Sequence, residues 1–281
     1  MRITIMARII NKDTILCMSL SARPSNFGTR FHNFLYEKLD LNYVYKAFST
    51  QHLKDAIYGI KALGIRGCAI SMPFKQDCIQ FMDELDPSAR SIGSVNTIVN
   101  TSGYLKAYNT DYIAVMYLIK QHNIDNTTPF VLKGSGGMAN AVIGAFFDAG
   151  FKKGIIAARN QTKGSQLAAR YHYQWVEHEQ EVSAKEAKLI INVTPIGMQG
   201  GVEVDDLAFP SQMIENAEIV FDVVALPVET PMIKYAKQRN KTIISGADVG
   251  VIQALEQFIL YTGISPSIEL VQEAALFARQ G

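Results

Sequence analysis

The chain has 281 residues, of which 48% are hydrophobic, and this length favours two domains over one. Its formal net charge of +1 gives no electrostatic reason to expect nucleic acid or an anionic membrane as a partner. The cysteines number three and lack metal-like spacing, which does not suit a secreted disulfide scaffold and favours a cytoplasmic location. Residues 1–10 lack the cleavage site of a signal sequence, and no apolar run reaches the roughly 18 residues of a membrane span.

In the first 110 residues, apolar runs of strand length alternate with segments of helical period, which is typical of an α/β fold. The runs 95–100 and 104–108 predict a β-hairpin through Thr101, Ser102 and Gly103. Other strands are predicted at 14–20, 43–48 and 66–72, and helices at 29–39 and 52–63.

From residue 128 onward the pattern is more regular and indicates a nucleotide-binding βαβ unit, which a predicted helix at 112–121 links to the first part. The boundaries near Asp111 and Gly246 predict three parts, 1–110, 111–245 and 246–281. Strands are predicted at 129–132, 154–158, 189–193, 219–224 and 241–244. Helices are predicted at 112–121, 138–149, 162–171, 231–238, 249–261 and 266–278.

Three polar segments of the first part predict a substrate pocket: 71–75, 94–97 and 108–111. Pro73 blocks the strand before it, so Lys75 is delivered at a strand's carboxyl end, where ligands gather in open α/β sheets. Lys75 can protonate a carbonyl oxygen as hydride reaches the carbon, and Asp111 can fix the ammonium. The reverse reaction must release the alcohol's proton, so alcohol oxidation is expected to speed up as pH rises.

A glycine cluster between a predicted strand and helix indicates a pyrophosphate site, comprising Gly134, Ser135, Gly136 and Gly137. Such clusters are often ordinary turns, but the flanking strand and helix favour the functional interpretation. Met138 and an alanine follow, in place of the third glycine of the dinucleotide fingerprint.

The segment after the second strand of this unit favours NADP over NAD. An NAD site places an acid about 20 residues beyond the glycines, and that charge would repel a 2′-phosphate. This chain instead has Arg159, with Lys163 one helical turn later, and no acid between them. Two cations there can bind a phosphate. The alternative is that both are solvated side chains at the start of a helix.

Short polar and glycine-containing segments occur in a fixed order along nearly the whole chain. They are Phe31–Asn33, Ser71–Lys75, Ser94–Thr97, Asn109–Asp111, Gly134–Gly137, Ile191–Met198, Asp222–Val224 and Gln253. This ordered set resembles the shikimate dehydrogenase family. The resemblance implies reversible NADP-dependent reduction of 3-dehydroshikimate to shikimate. It also implies a substrate-binding domain made from both chain ends, with a Rossmann-type NADP-binding domain inserted between them.

By the resemblance, Lys75 corresponds to the catalytic lysine and Asp111 to its partner. Asn96 and Gln253 correspond to ligands of substrate hydroxyls, and Ser71 stands where the family usually has threonine. The cofactor-binding residues implied are Gly134, Ser135, Gly136, Gly137, Met138, Arg159, Lys163, Thr194, Met198, Val224 and Gly246.

The chain departs from the family where the substrate carboxylate is held. Family members usually carry two serines before the His-Asn pair, and this chain has Asn26 and Gly28 there. Losing a hydrogen-bond donor to a carboxylate costs about 1.5 to 3 kcal/mol, which weakens binding roughly tenfold or more. Asn26 is therefore the remaining substrate-binding candidate at this position, unless a shifted loop supplies a nearby serine.

These features predict an NADP-dependent oxidoreductase that acts on shikimate less efficiently than a housekeeping enzyme. A quinate dehydrogenase is one alternative, and a nucleotide-binding regulatory module with weak catalysis is another. A folate- or tRNA-linked reductase fits the carboxyl-terminal half but not the substrate half. We expect a small-molecule substrate, no metal, and a monomer or homodimer.

Overall fold

The computed structural model describes residues 10–22, 24–184 and 186–280. The prediction for the opening ten residues falls outside these ranges except at residue 10. The chain divides into two compact units, one of Met1–Thr110 with Ala254–Gly281 and one of Asp111–Gln253. The first unit is built from both ends of the chain, whereas the second is one continuous segment.

Strands and helices alternate along most of the chain. Within the described ranges, the strands are β1 (Ile15–Ser21), β2 (Tyr43–Ser49), β3 (Gly67–Ile70), β4 (Glu84–Leu85), β5 (Thr97–Thr101), β6 (Tyr104–Tyr108), β7 (Phe130–Lys133), β8 (Gly154–Ala157), β9 (Gln174–Val176), β10 (Leu189–Asn192), β11 (Ile219–Asp222) and β12 (Thr242–Ser245). The α-helices of the same residues are α1 (Phe27–Lys38), α2 (Leu53–Ala62), α3 (Pro87–Arg90), α4 (Thr110–Gln121), α5 (Gly137–Asp148), α6 (Gln161–Arg170), α7 (Ser211–Asn216), α8 (Pro231–Lys237), α9 (Gly246–Thr262) and α10 (Ile268–Arg279).

The first unit contains a mixed sheet, and the described strands follow the order β2-β1-β3-β5-β6-β4. Strands β1, β2 and β3 are parallel, and Leu20 near the end of β1 lies opposite Phe48 and Ile70. Strand β5 runs antiparallel to β3 and forms the predicted hairpin with β6, whose turn residues Ser102 and Gly103 have positive φ. The parallel strands therefore bring the carboxyl ends of β1 and β3 to one edge.

The carboxyl-terminal residues complete the core of the first unit. Tyr261 of α9 is buried, and its ring lies against Gly67, where an added Cβ would come within 2.3 Å of a ring carbon. A glycine at this position allows helix and strand to approach this closely. Helix α10 packs along α1, where the Arg30 guanidinium lies 4.2 Å from the centre of the Phe277 ring.

The second unit contains a fully parallel sheet, whose described strands follow the order β12-β11-β10-β7-β8-β9. From the β9 end this is the 3-2-1-4-5-6 order of a dinucleotide-binding fold. Phe130 and Leu132 belong to one apolar cluster and Val131 to another, because successive side chains of β7 face opposite sides of the sheet. The predicted α/β fold, with a Rossmann-type domain inserted in a substrate-binding domain, is confirmed.

Short elements escaped the sequence prediction, since β4 has two residues, β9 has three and α3 has four. Helix α9 begins at Gly246, three residues before its predicted start, because Ser245 and Asp248 cap it reciprocally. The Ser245 hydroxyl donates to Asp248 Oδ2 at 2.6 Å, and the Asp248 N–H donates to Ser245 Oγ at 3.2 Å. Of the helices described, none has both the length and the apolar character needed to cross a bilayer.

Candidate active site

Lys75 lies on a turn at the carboxyl edge of the first sheet. After β3 ends, the Ser71 N–H donates to Leu20 O at 3.0 Å, so the chain leaves the sheet beside the end of β1. The Phe74 N–H then donates to Ser71 O at 3.0 Å, and the Val95 N–H donates to Lys75 O at 2.8 Å. These bonds bring Ser71 and Lys75 together beside the segment that leads into β5.

Asn96 adjoins this turn, and its side-chain amide is held in one orientation. Its Oδ1 accepts from the Thr110 backbone N–H at 2.7 Å and from the hydroxyls of Thr97 at 2.9 Å and Thr110 at 3.1 Å. Because a backbone N–H can only donate, the atom facing it must be the amide oxygen. Nδ2 has no hydrogen-bond partner within the described residues and is not fully buried, so it is the atom available to a ligand.

Asn26 is exposed at the amino-terminal end of α1, where its side chain makes no capping hydrogen bond. The segment that leads to it begins at the same sheet edge, since the Ala22 N–H donates to Met72 O at 3.1 Å. Gly28 follows in the first turn of α1, and a Cβ there would meet the Tyr45 hydroxyl at 3.4 Å, an ordinary contact distance.

Asp111 and Gln253 lie on helices and are grouped with the second unit. Asp111 is in the first turn of α4, directly after Thr110. The Gln253 Nε2 donates to Gly250 O at 3.4 Å within α9. Their placement opposite Lys75 stays a prediction.

The glycine cluster forms the turn between β7 and α5 in the second unit. Gly134 has a φ of +122°, and an added Cβ would lie 2.9 Å from a Val193 methyl carbon, so glycine is required there. Helix α5 begins at Gly137 and has Gly136 as its N-cap, without a side-chain capping bond. A Cβ on either of these two glycines would meet no atom within 4 Å, so there is open space beside this helix end. An anion fits this helix end.

Arg159 and Lys163 lie at the carboxyl end of β8 and the start of α6. Asn160 caps this helix by accepting from the Lys163 N–H at 3.0 Å. Both cationic side chains are exposed, and neither forms an ion pair within the described residues. Two cations at this strand end are suited to a phosphate carried on the ribose of a bound nucleotide.

Thr194 lies in the loop after β10 and is fixed by a buried polar network. Its hydroxyl donates to Asn192 Oδ1 at 2.6 Å, and Asn192 Nδ2 donates to Asp222 Oδ1 at 3.0 Å. The Thr230 hydroxyl donates to Asp222 Oδ2 at 2.6 Å. Burial raises the pKa of Asp222, while these donated hydrogen bonds and the Val224 N–H oppose that rise.

Val224 and Gly246 lie together where β11 ends and α9 begins. A Cβ on Gly246 would lie 2.3 Å from Val223 O and 2.5 Å from the Val224 carbonyl carbon. Met198 lies on the loop after β10 and is exposed. Gly134, Thr194, Val224 and Gly246 thus all lie at the carboxyl edge of the second sheet, the edge where doubly wound folds bind ligands.

Sequence analysis missed Gln257. This residue is buried, and its Nε2 donates to Thr97 Oγ1 at 3.0 Å. It follows Gln253 by four residues on α9, so the two amides share a helix face, and this spacing is the signal that could have found it. Lys133, directly before the glycine turn, is held in an ion pair, in which its Nζ donates to Glu179 Oε1 at 2.8 Å.

Within the described ranges, no group of three or more His, Cys, Asp and Glu side chains is arranged to hold a metal ion. The thiols of Cys17, Cys68 and Cys78 are buried, and burial raises the pKa of each. Buried thiols of this kind stay protonated and are inert as nucleophiles.

Comparison with known proteins gives one consistent result. Residues 26–98 match the shikimate dehydrogenase substrate binding domain. A shikimate dehydrogenase-like protein of Haemophilus influenzae is 58% identical over 271 residues, covering 96% of this chain and 99% of the relative. A shikimate dehydrogenase (NADP(+)) of Chlorobaculum tepidum is 33% identical over 267 residues, covering 88% of this chain and 90% of the relative.

Among solved structures, shikimate 5-dehydrogenase from Thermus thermophilus, in complex with NADP(H) and shikimate, is similar with a TM-score of 0.83. The two proteins are 26% identical, and the match covers 94% of this chain and 99% of the other. The similarity therefore extends over both compact units.

Proposed function

Because the chain belongs to the shikimate dehydrogenase family, we propose that it is an NADP-dependent oxidoreductase that interconverts shikimate and 3-dehydroshikimate. In this proposal, the unit made from both chain ends binds the substrate and the continuous unit binds the cofactor. The observation that carries it is the grouping of Ser71, Lys75 and the oriented Asn96 amide at one sheet edge. This edge offers hydrogen-bond donors for hydroxyls and an ammonium for a carbonyl oxygen.

The chain's own residues bind the substrate and move the proton. When bound, NADPH supplies the hydride and NADP+ accepts it. Lys75 donates its proton to the carbonyl oxygen during reduction and takes the hydroxyl proton during oxidation. Asp111 is proposed to hold the Lys75 ammonium in place, and Asn96 and Gln253 to bind substrate hydroxyls. Oxidation then speeds up with rising pH, because it must release a proton.

The second unit fits NADP in two respects. The open, uncapped amino terminus of α5 suits a pyrophosphate, and Arg159 and Lys163 lie where the adenosine ribose phosphate would be held. NAD lacks the 2′-phosphate and would leave these cations unused. We therefore propose NADP as the preferred cofactor.

We further propose lower efficiency than a housekeeping shikimate dehydrogenase. Asn26 and Gly28 stand where the family usually has serines, and glycine offers no side-chain donor. A substrate carboxylate would lose charge-assisted hydrogen bonds there, which weakens binding about tenfold.

The proposal is tested by following NADP reduction with shikimate and with quinate, each also with NAD. We expect turnover with shikimate and NADP, which Lys75→Ala abolishes, while Lys120→Ala, a lysine change on the carboxyl-terminal turn of α4, leaves it unchanged. Folded wild-type protein that turns over neither acid at high concentration would refute the assignment.

A dehydrogenase of a related cyclic hydroxy acid and a weakly catalytic nucleotide-binding regulatory module remain second candidates. Quinate turnover above shikimate turnover identifies the first. For the second, the Lys75→Ala variant decides: an enzyme loses rate while NADP affinity stays, whereas a regulatory response to NADP does not depend on Lys75.

A further inference from the structure

Gln257 is a buried polar side chain whose neighbours are mostly apolar or aromatic, with the buried His32 close by. Its neighbours on α9 include Ala254, Phe258 and Tyr261, all at most 1% exposed. An apolar side chain would pack there without losing contact with water, and a buried amide is stable only when it has partners. The described partner of its Nε2 is Thr97 Oγ1, at 3.0 Å.

The hydrogen bond from Gln257 determines which group accepts the proton of the Thr97 hydroxyl. A hydroxyl has one proton to donate, and Oγ1 already accepts from Gln257, so the proton points elsewhere. Asn96 Oδ1 lies 2.9 Å away, closer than Thr110 Oγ1 at 3.3 Å. The Thr97 hydroxyl therefore donates to Asn96 Oδ1, which helps to fix the orientation of the Asn96 amide.

We propose that Gln257 is a positioning residue for substrate binding, which acts through Thr97 to hold the Asn96 amide in its donating orientation. This inference rests on the proposed function, in which Asn96 binds a substrate hydroxyl. It assigns to α9 a role in substrate affinity through a residue that does not touch the substrate.

The kinetic test compares Gln257→Met with the matched change Gln272→Met on the exposed face of α10. Gln257→Met should raise the KM for shikimate about fivefold, with kcat and the NADP Kd unchanged, because Asn96 binds ground state and transition state alike. Gln272→Met should change none of these values. A Gln257→Met variant with wild-type KM overturns the proposal.

A double-mutant cycle separates positioning from general packing. Once Thr97→Val has removed the hydroxyl, Gln257→Met should cause no further rise in KM, whereas independent effects on packing would add. Thr97→Ser keeps the hydroxyl and should restore the KM to within about twofold of wild type. Additive effects, or failure of serine to rescue, overturn the proposal.

The side-chain N–H signals of Asn96, measured by NMR in the protein without substrate, give a readout that does not need turnover. Gln257→Met should shift and broaden them, and Gln272→Met should not. If wild-type protein lacks turnover but these signals respond to Gln257→Met, the positioning role holds and only the proposed function fails. Signals that do not respond overturn the positioning role.

Discussion

His32 is a fully buried histidine in an aromatic setting. Neither ring nitrogen meets a partner at hydrogen-bonding geometry in the described part of the chain, and the ring stacks on Tyr45 with 4.4 Å between centres. Burial lowers the pKa of His32 to about 3, although the nearby Gln257 side chain opposes the fall, so its ring stays neutral at ordinary pH. The unfolded chain, by contrast, protonates this residue near its ordinary pKa of 6.5.

This difference predicts acid sensitivity. A histidine whose pKa is lowered by folding stabilises the fold fully above pH 6.5, and the free energy of unfolding falls as pH drops from 6.5 toward 3. The fall should approach about 1.4 kcal/mol per pH unit from this residue. Urea unfolding of wild type, His32→Leu and the exposed control His52→Leu checks it. Of the two variants, His32→Leu alone should reduce the dependence of the unfolding free energy on pH between 6.5 and 3. An unchanged dependence in His32→Leu contradicts the prediction.

Gly28 allows a side chain to be added without a clash. A Cβ there meets Tyr45 at 3.4 to 3.6 Å, and the backbone conformation is not left-handed. Gly28→Ser should lower the KM for shikimate about tenfold, because it supplies a hydroxyl for the carboxylate. Gly59→Ser, the same change in α2 where a Cβ meets no atom within 4 Å, is the control. An equal KM in both variants means that residue 28 does not reach the substrate.

Among the secondary-structure elements, α9 depends on the absence of a side chain at its first residue. A Cβ on Gly246 would lie 2.3 Å from Val223 O, so Gly246→Ala must push the helix start away from the end of β11. We expect a loss of about 1 to 3 kcal/mol in unfolding free energy and weaker NADP binding.

Gly250→Ala is the matched control for this change, because a Cβ there meets no atom within 4 Å. It should stabilise the helix by about 0.5 to 1 kcal/mol. Thermal unfolding and NADP titration of both variants test these predictions. A Gly246→Ala variant as stable as Gly250→Ala would show that the close approach does not constrain the helix.

The strongly periodic elements could be predicted from sequence, and the short polar ones could not. Strands β7, β10 and β11 are continuous apolar runs between turn signals, and buried parallel strands have this pattern. Strand β9 is only three residues long and begins with an exposed glutamine, so it lacks such a signal. The start of α9 was missed because its cap is a Ser245–Asp248 pair that follows a strand directly.

The candidate site shows the same division. Lys75 and the glycine turn could be found because proline and glycine mark the ends of strands. The spacing of Gln257 from Gln253 is visible in the sequence, but its hydrogen bond to Thr97, 160 residues away, could not be predicted because only the fold brings the two together.

At the scale of the whole molecule, the preferred cofactor should stabilise the folded protein more than the other cofactor does. A ligand that binds only the folded state at 100 times its Kd raises the unfolding free energy by about 2.7 kcal/mol. NADP should therefore raise the melting temperature more than equal NAD does. Arg159→Ala should remove this difference, because it removes a cation proposed to hold the 2′-phosphate.

Lys152→Ala, which removes an exposed cation elsewhere in the second unit, is the control and should keep the difference. Differential scanning fluorimetry at low and high salt measures the difference in melting temperature between the protein with NADP and the protein with NAD. NAD stabilising the wild-type protein as much as NADP would contradict the assigned preference.

The order of the compact units along the chain has a consequence for synthesis. During translation, residues 111–253 are complete before residues 254–281 leave the ribosome. We expect the nascent inserted unit to fold first. The core of the other unit is completed only when Tyr261 packs against Gly67, so a stop codon between residues 254 and 261 should yield a product with one folded unit and one open core, a substrate for cellular proteases.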